Sequence, residues 1–167
     1  MPSEEKMSNI RYVTGDATAP TGEGMKIIVH CCNDEGKWGR GFVLALSRRW
    51  AEPEAHYRLW ARRLPGSDPP FALGNVQFVH VEQGICVANL IGQHGIYPAG
   101  GVPPVRYDAL RQGLHTVAHT AMAMRASVHL PMLGAGLAGG DWAVIAGIID
   151  DELCRYGNVP VTVYRLH

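Results

Sequence analysis

Apolar and polar positions along the chain follow two periods. The segment 26–32 (KIIVHCC) is a run of β-branched and apolar residues and predicts a buried strand. Segments 76–81 and 85–90 are two further runs, joined by Glu82-Gln83-Gly84, and predict a hairpin. Shorter runs at 10–13, ended by Gly15-Asp16, at 128–132 and at 159–164 predict three more strands. Between them the period lengthens. Phe42, Leu46 and Arg49 share one helical face over 42–50, and 52–63 continues as a second helix with Pro53 in its first turn. Pro104 opens a long helix to about Met124, with Leu110, Leu114, Val117 and Ala121 along its core face. Asp141 fits an N-cap and 142–154 the helix behind it. Counting the adjoining helical segments 42–50 and 52–63 once, the order is β-β-α-β-β-α-β-α-β. Strands interleaved with helices predict an α/β sandwich with a mixed sheet.

Composition narrows the class. Of 167 residues, 47% are hydrophobic and 18% charged, a globular balance rather than a disordered one. Fifteen Lys and Arg balance fifteen Asp and Glu, which argues against nucleic-acid binding through bulk charge. Long apolar stretches are broken by Gly, His or Asp, so no transmembrane helix is expected. Residues 1–8 are polar, mixed in charge and without an apolar run, so a secretory leader is not expected either. They read as a polar tail ahead of one domain over 9–167. Cys31, Cys32, Cys86 and Cys154 form no Cys-x-x-Cys pair, and adjacent Cys31 and Cys32 face opposite sides of a strand. Reduced thiols in a cytoplasmic protein fit better than a disulfide framework or a metal site.

Twenty glycines are well above the usual ~7%, and they cluster at 36–41, 92–101 and 134–140. Such clusters predict a ligand cradle built from loops. The stretch from Met132 to Trp142 leaves a strand and enters a helix, where successive backbone N–H groups form an anion nest. It lacks the Gly-Lys-Ser/Thr of a P-loop, and no acidic ribose ligand follows at the dinucleotide-fold distance. An ordinary tight turn is the competing reading. The second constellation runs His30-Cys31-Cys32-Asn33-Asp34-Glu35-Gly36-Lys37-Trp38-Gly39-Arg40-Gly41-Phe42, from a strand end through a glycine loop into a helix. Ligands in open α/β sheets sit at such strand ends. Asn33 both donates and accepts, which suits a sugar hydroxyl or a water.

These pieces together resemble a macrodomain, the ADP-ribose-binding fold. Tyr12-Val13-Thr14-Gly15-Asp16 is similar to the family's first-strand motif, and His30-Cys31-Cys32-Asn33 falls where many members carry Asn-Ala-Ala-Asn. The 134–140 loop resembles the phosphate loop, and Val161-Thr162-Val163-Tyr164 matches the closing strand. The resemblance covers nearly the whole chain in the right order. His-Cys-x-Asn and Gly-x-Trp-Gly-x-Gly, here His30 to Gly41, tie it to the branch of terminal ADP-ribose protein glycohydrolases and ADP-ribose-1″-phosphate phosphatases. The resemblance implies a three-layer α/β/α sandwich with a mixed central sheet. It implies Asp16 and Ala17 at the adenine, Tyr164 against that ring, and Gly134, Ala135, Gly136, Leu137 and Ala138 around the diphosphate. Asn33, Gly39, Arg40, Gly41 and Phe42 would face the distal ribose, with Trp38 counted among the ligand-binding residues. Two departures stand out: Gln93 where the glycohydrolase branch has Lys, and Ala138 where it has Asp. A covalent lysine route at position 93 is therefore closed.

Single residues carry competing readings. His30 is a core histidine bonded to backbone or an acid/base group, and His94 an exposed loop residue or the same. Asp141 is an N-cap first, and beside the phosphate loop it could also order a water. Trp38 is a lid or a packing residue; Arg40 steers a diphosphate or is simply solvated. The expectation is a hydrolase releasing ADP-ribose from acidic side chains of modified protein, with Asn33, His30 and Asp141 as its chemical residues. The alternatives are an ADP-ribose-1″-phosphate phosphatase and a non-catalytic reader. ADP-ribose and ADP-ribosylated protein are the expected partners, with no membrane, no nucleic acid, no metal and no cofactor.

Overall fold

The computed structural model describes residues 9–136 and 138–166. The proposed tail at 1–8 lies outside them. Six strands form one sheet: β1 Arg11–Thr14, β2 Lys26–Asn33, β3 Val76–Glu82, β4 Ile85–Gln93, β5 Ser127–Pro131 and β6 Val161–Arg165. Their spatial order is β1-β6-β5-β2-β4-β3. Only β3 runs antiparallel to its neighbour, as the edge arm of the expected hairpin; the other four pairings are parallel. The helices are α1 Phe42–Arg49, α2 Glu52–Trp60, α3 Tyr107–Met124 and α4 Trp142–Ile149.

Alternation along β2 sorts the layers. Ile27 and Val29 join Leu110, Leu114 and Val117 of α3 and Ile145, Ile148 and Ile149 of α4 in one buried cluster. Ile28 and Cys32 face the other way, toward Val43 and Leu46 of α1 and Tyr57 and Trp60 of α2. The result is the expected three-layer α/β/α sandwich with a mixed sheet. Each fully buried Leu or Ile in these clusters contributes about 2–3 kcal/mol by removal from water.

Three boundaries differ from the pattern. The long helix begins at Tyr107, not Pro104, because 104–106 completes the sheet end: His94 N–H donates to Pro104 O and Arg106 N–H to Gly92 O. The second helix stops at Trp60, and Arg63 adopts a left-handed φ of 51°. The last helix is α-helical only to Ile149, then widens into a π-helical turn over Asp150–Tyr156.

The β2–β4 ladder carries one irregularity. Cys32 pairs with Ile91 but Asn33 pairs with Gln93, leaving Gly92 as an extra residue. A Cβ at Gly92 would lie 2.6 Å from Leu110 Cδ2 and 2.7 Å from Cys31 Sγ, so only glycine fits the bulge.

Candidate functional site

β2 and β5 are parallel neighbours, yet their following helices pack on opposite faces, α1 on one and α4 on the other. The connecting loops must diverge, and a cleft opens at the carboxyl ends of the strands. Its volume is about 920 Å³, within the range of about 300–1,000 Å³ usual for small-molecule sites.

The first wall is the loop from Asn33 to Gly41. Its shape is set by side chains. Asn33 Oδ1 accepts from the N–H groups of Glu35 (2.9 Å) and Lys37 (3.1 Å), and its Nδ2 donates to Lys37 O at 2.7 Å. The Tyr57 hydroxyl sits 2.7 Å from Asn33 O and 2.9 Å from Oδ1. Asn33 therefore organises the loop and keeps one amide proton for a ligand. Trp38 is buried, donates Nε1–H to Ser47 Oγ at 2.8 Å and stacks edge-on against His30. It packs the loop and is no lid. Gly41, at φ 79° and ψ −143°, starts α1 without a side-chain cap; Leu44 N–H donates to Gly41 O, while those of Phe42 and Val43 meet no acceptor among the described residues.

The opposite wall is the loop from Met132 to Gly140. Backbone alone holds it: Gly140 N–H donates to Gly134 O at 2.8 Å, Gly139 N–H to Gly136 O at 3.1 Å, and Val105 N–H to Ala138 O at 3.1 Å. The N–H groups of Gly134, Ala135, Gly136 and Ala138 donate to no acceptor among the described residues. Unengaged N–H groups on a glycine turn are what an anion nest requires. A Cβ at Gly140 would meet Gly134 O at 2.6 Å, which explains the glycine there.

The ends of the cleft are formed by β1 and β6. Asp16 is exposed; its Oδ1 accepts from the N–H and hydroxyl of Thr18, both at 2.8 Å, and Oδ2 stays open. Tyr164 is buried, with its hydroxyl 2.7 Å from His129 Nδ1 and accepting from Thr21 N–H at 3.0 Å.

The cleft gathers most of the expected residues: Asp16, Ala17, His30, Asn33, Trp38, Gly39, Arg40, Gly41, Phe42, Gly134, Gly136, Ala138 and Tyr164 all line it. Ala135 does not; its side chain packs on the core. Leu137 lies outside the described residues. Asp141 takes the N-cap place expected of it and stands apart from the cleft. It is exposed, caps α4 by accepting Ala143 N–H at 2.9 Å, and donates its own N–H to the Tyr107 hydroxyl oxygen at 2.9 Å. Sequence reasoning did not single out Cys31, Lys37, Arg48, Ile96, Tyr97, Pro98, Met132 or Leu133 as lining residues. The strand-flanking positions among them carry no pattern distinct from core. The 92–101 glycine cluster was the available signal for Ile96, Tyr97 and Pro98.

Electrostatics reshape the expected chemistry. His30 is 1% exposed, and burial pulls its pKa down to about 4 despite a 2.6 Å bond to Asn89 Oδ1. Asn89 spends both its N–H groups on Pro53 O and Gln77 Oε1, so its Oδ1 must accept, and His30 is the neutral Nε2–H tautomer. A histidine held neutral is no proton donor of near-neutral pKa. Burial pushes the Cys31 thiol up to about 12 and raises the Cys32 thiol well above its ordinary value. Gln93 Nε2 donates to Gly95 O at 2.9 Å. His94 points out of the cleft into a 2.6 Å contact with Asp34. Burial alone would raise the Asp34 carboxyl, but the Gly95 N–H and His94 hold it below its usual range. Arg40 and Arg48 stay exposed at the rim. Among the described residues no three His, Cys, Asp or Glu side chains converge as a metal centre, and no helix is long and apolar enough to cross a membrane.

A three-layer sandwich with a glycine-walled cleft at its parallel strand ends defines an α/β ligand-binding domain. The macrodomain protein from Streptomyces coelicolor superposes with a TM-score of 0.82 and is 53% identical, covering 93% of this chain and 98% of that one. The chain belongs to the macrodomain family. The mouse chromodomain-helicase-DNA-binding protein 1-like is 32% identical over 166 residues, 94% of this chain. The chain spans less than a fifth of the curated relatives it matches along most of its length. A shorter stretch of 51 residues, 30% of this chain, is 39% identical to an ADP-ribose 1″-phosphate phosphatase of Saccharomyces cerevisiae. No family model matches.

Proposed function

We propose that the cleft binds ADP-ribose and that the protein hydrolyses the ester joining ADP-ribose to acidic side chains of modified proteins. One observation carries the binding: residues with open backbone N–H groups line the cleft on both walls, Gly134, Gly136 and Ala138 on one and the start of α1 on the other. A diphosphate fits such donors without a paired lysine. Asp16 Oδ2 is an open acceptor for an adenine amino group, and Tyr164 offers a ring beside it. The family, and the relative that acts on ADP-ribose 1″-phosphate, support the same ligand.

The ester reading follows from what the cleft lacks. A carboxylate leaves an anomeric carbon without needing a proton, so the reaction asks chiefly for an oriented water and a held ribose. Asn33, with one amide proton left at the strand end, supplies a fixed donor there. The phosphatase alternative loses the acid that motivated it, because His30 is neutral and buried. A non-catalytic reader is the second reading, favoured by the absence of a near-neutral acid or base among the lining residues singled out for chemistry. Four free cysteines fit a reducing compartment, the cytoplasm.

The test follows ADP-ribose release from a glutamate-ADP-ribosylated protein, with calorimetry on free ADP-ribose alongside. Release above the uncatalysed rate, lost at least 100-fold in a folded Asn33→Ala variant that still binds ADP-ribose, is expected. Binding without release would replace the hydrolase with the reader. Failure to bind at all would remove both.

A further inference from the structure

Away from the cleft, the exposed face of α3 meets the π-helical turn in a cluster that the binding site does not use. His115 and His119 stand one helical turn apart, both exposed, with their Nε2 atoms 3.3 Å from each other. Glu152 Oε1 lies 2.8 Å from His115 Nδ1, and its other oxygen accepts from Arg111 at 2.9 Å. The Tyr156 hydroxyl is 3.0 Å from His119 Nε2, and the three rings pack with centroids 4.7–5.5 Å apart.

Each contact has a chemical consequence. A carboxylate on Nδ1 holds the proton there and leaves the Nε2 lone pair of His115 outward. Arg111 in turn fixes Glu152, so the imidazole orientation is set from behind. This carboxylate–histidine pairing is the support that metal-ligating histidines ordinarily have. The 3.3 Å separation also has a meaning. At Zn–N distances of about 2.0–2.1 Å, two tetrahedral ligands stand about 3.3–3.4 Å apart.

We infer that His115 and His119 form a two-histidine site for a borderline divalent cation such as zinc or copper. One proton between the two Nε2 atoms holds the pair; when the cation takes both Nε2 lone pairs, that proton moves to the exposed Nδ1 of His119, so both rings stay neutral. The Tyr156 hydroxyl is the adjacent third donor, and water completes the shell. The π-helical turn is what makes this possible, because Glu152 and Tyr156 both stand on it. Imidazole donors select copper over zinc, and exclude magnesium and calcium, which take oxygen cages. The inference stands apart from the ADP-ribose reading.

The experiment is calorimetric titration of the chelator-treated full chain with ZnCl₂, with CuCl₂ and MgCl₂ as comparisons. Long-range ¹H–¹⁵N spectra of the histidine rings report which nitrogen binds. One equivalent of zinc at micromolar affinity is expected, tighter copper, no magnesium, and a shifted Nε2 resonance on both rings. His119→Ala should lose zinc affinity at least tenfold. Glu152→Gln should weaken it by about tenfold while leaving both Nε2 atoms as ligands. Zinc binding that persists unchanged in folded His119→Ala, a shift at Nδ1 instead, or no binding at about 100 µM zinc would each overturn the site.

Discussion

The two walls of the cleft solve the same problem by different means. The loop after β2 is fixed by side chains: Asn33 ties three backbone groups, Tyr57 ties Asn33, and Trp38 anchors to Ser47. The loop after β5 is fixed by its own backbone, with glycines at the close approaches. The first loop spends its polar capacity on itself and leaves a single amide proton of Asn33 and the start of α1 for a ligand. The second leaves four N–H groups open. A side-chain-built wall holds position; a backbone-built wall presents donors. Placing one of each across a cleft gives both a fixed reference and an anion seat.

Acid strains the footings of both walls and gives the largest effect. His30 on β2 and His129 on β5 are buried, and burial lowers each to about 4; Lys26 adds to this for His129. In the unfolded chain both titrate near the ordinary value of 6.5. Stability is therefore full above about pH 6.5 and falls as the pH drops toward 4, because only the unfolded state takes up protons in that window. The loss approaches about 3 kcal/mol per histidine. Urea unfolding at pH 7.5 and 5 measures it, and equal midpoints would contradict it.

Gly140→Ala attacks the backbone-built wall alone. Its Cβ would run into Gly134 O and Ile145 Cδ1, and a loss of about 1–3 kcal/mol in stability is expected, with ADP-ribose binding abolished. Asn33→Ala attacks the other wall. Removing its contacts costs about 2 kcal/mol, whereas Tyr57→Phe, which deletes one donor, costs about 1 kcal/mol. If Gly140→Ala left binding intact while Asn33→Ala abolished it, the roles of the two walls would be reversed. Asp16→Asn tests the open end. Its Oδ1 still accepts from Thr18, so the melting temperature stays within about 2 °C. An amide N–H in place of Oδ2 meets the adenine amino group as a second donor, and affinity for ADP-ribose drops about tenfold. Calorimetry on the variant reads this directly.

This contrast also explains what the sequence disclosed. The strands and both walls were legible because β-branched runs and glycine clusters are local signals. Asn33 was legible as a site residue, but its use as a loop brace was not, since Tyr57 reaches it from a helix 24 positions away. His30 read as a candidate acid because imidazole ordinarily titrates near neutrality. Its partner Asn89 sits on another strand, and burial is a property of the assembled sheet. Asp141 followed two rules at once, N-cap and phosphate-loop neighbour, and the fold honours the first. The late start of α3 came from tertiary pairing of 104–106 with the end of β4, which outweighs the preference of proline for a first turn.

The extra residue at Gly92 bears on how relatives are compared with this chain. Along β2 and β4 the strands march in step until one residue on the first answers two on the second. A gap placed by letter matching near this point can slide by one column at little cost in score. It would then set Gly92, rather than Gln93, opposite Asn33. Which residue a relative keeps at that place has to be taken from superposed strands.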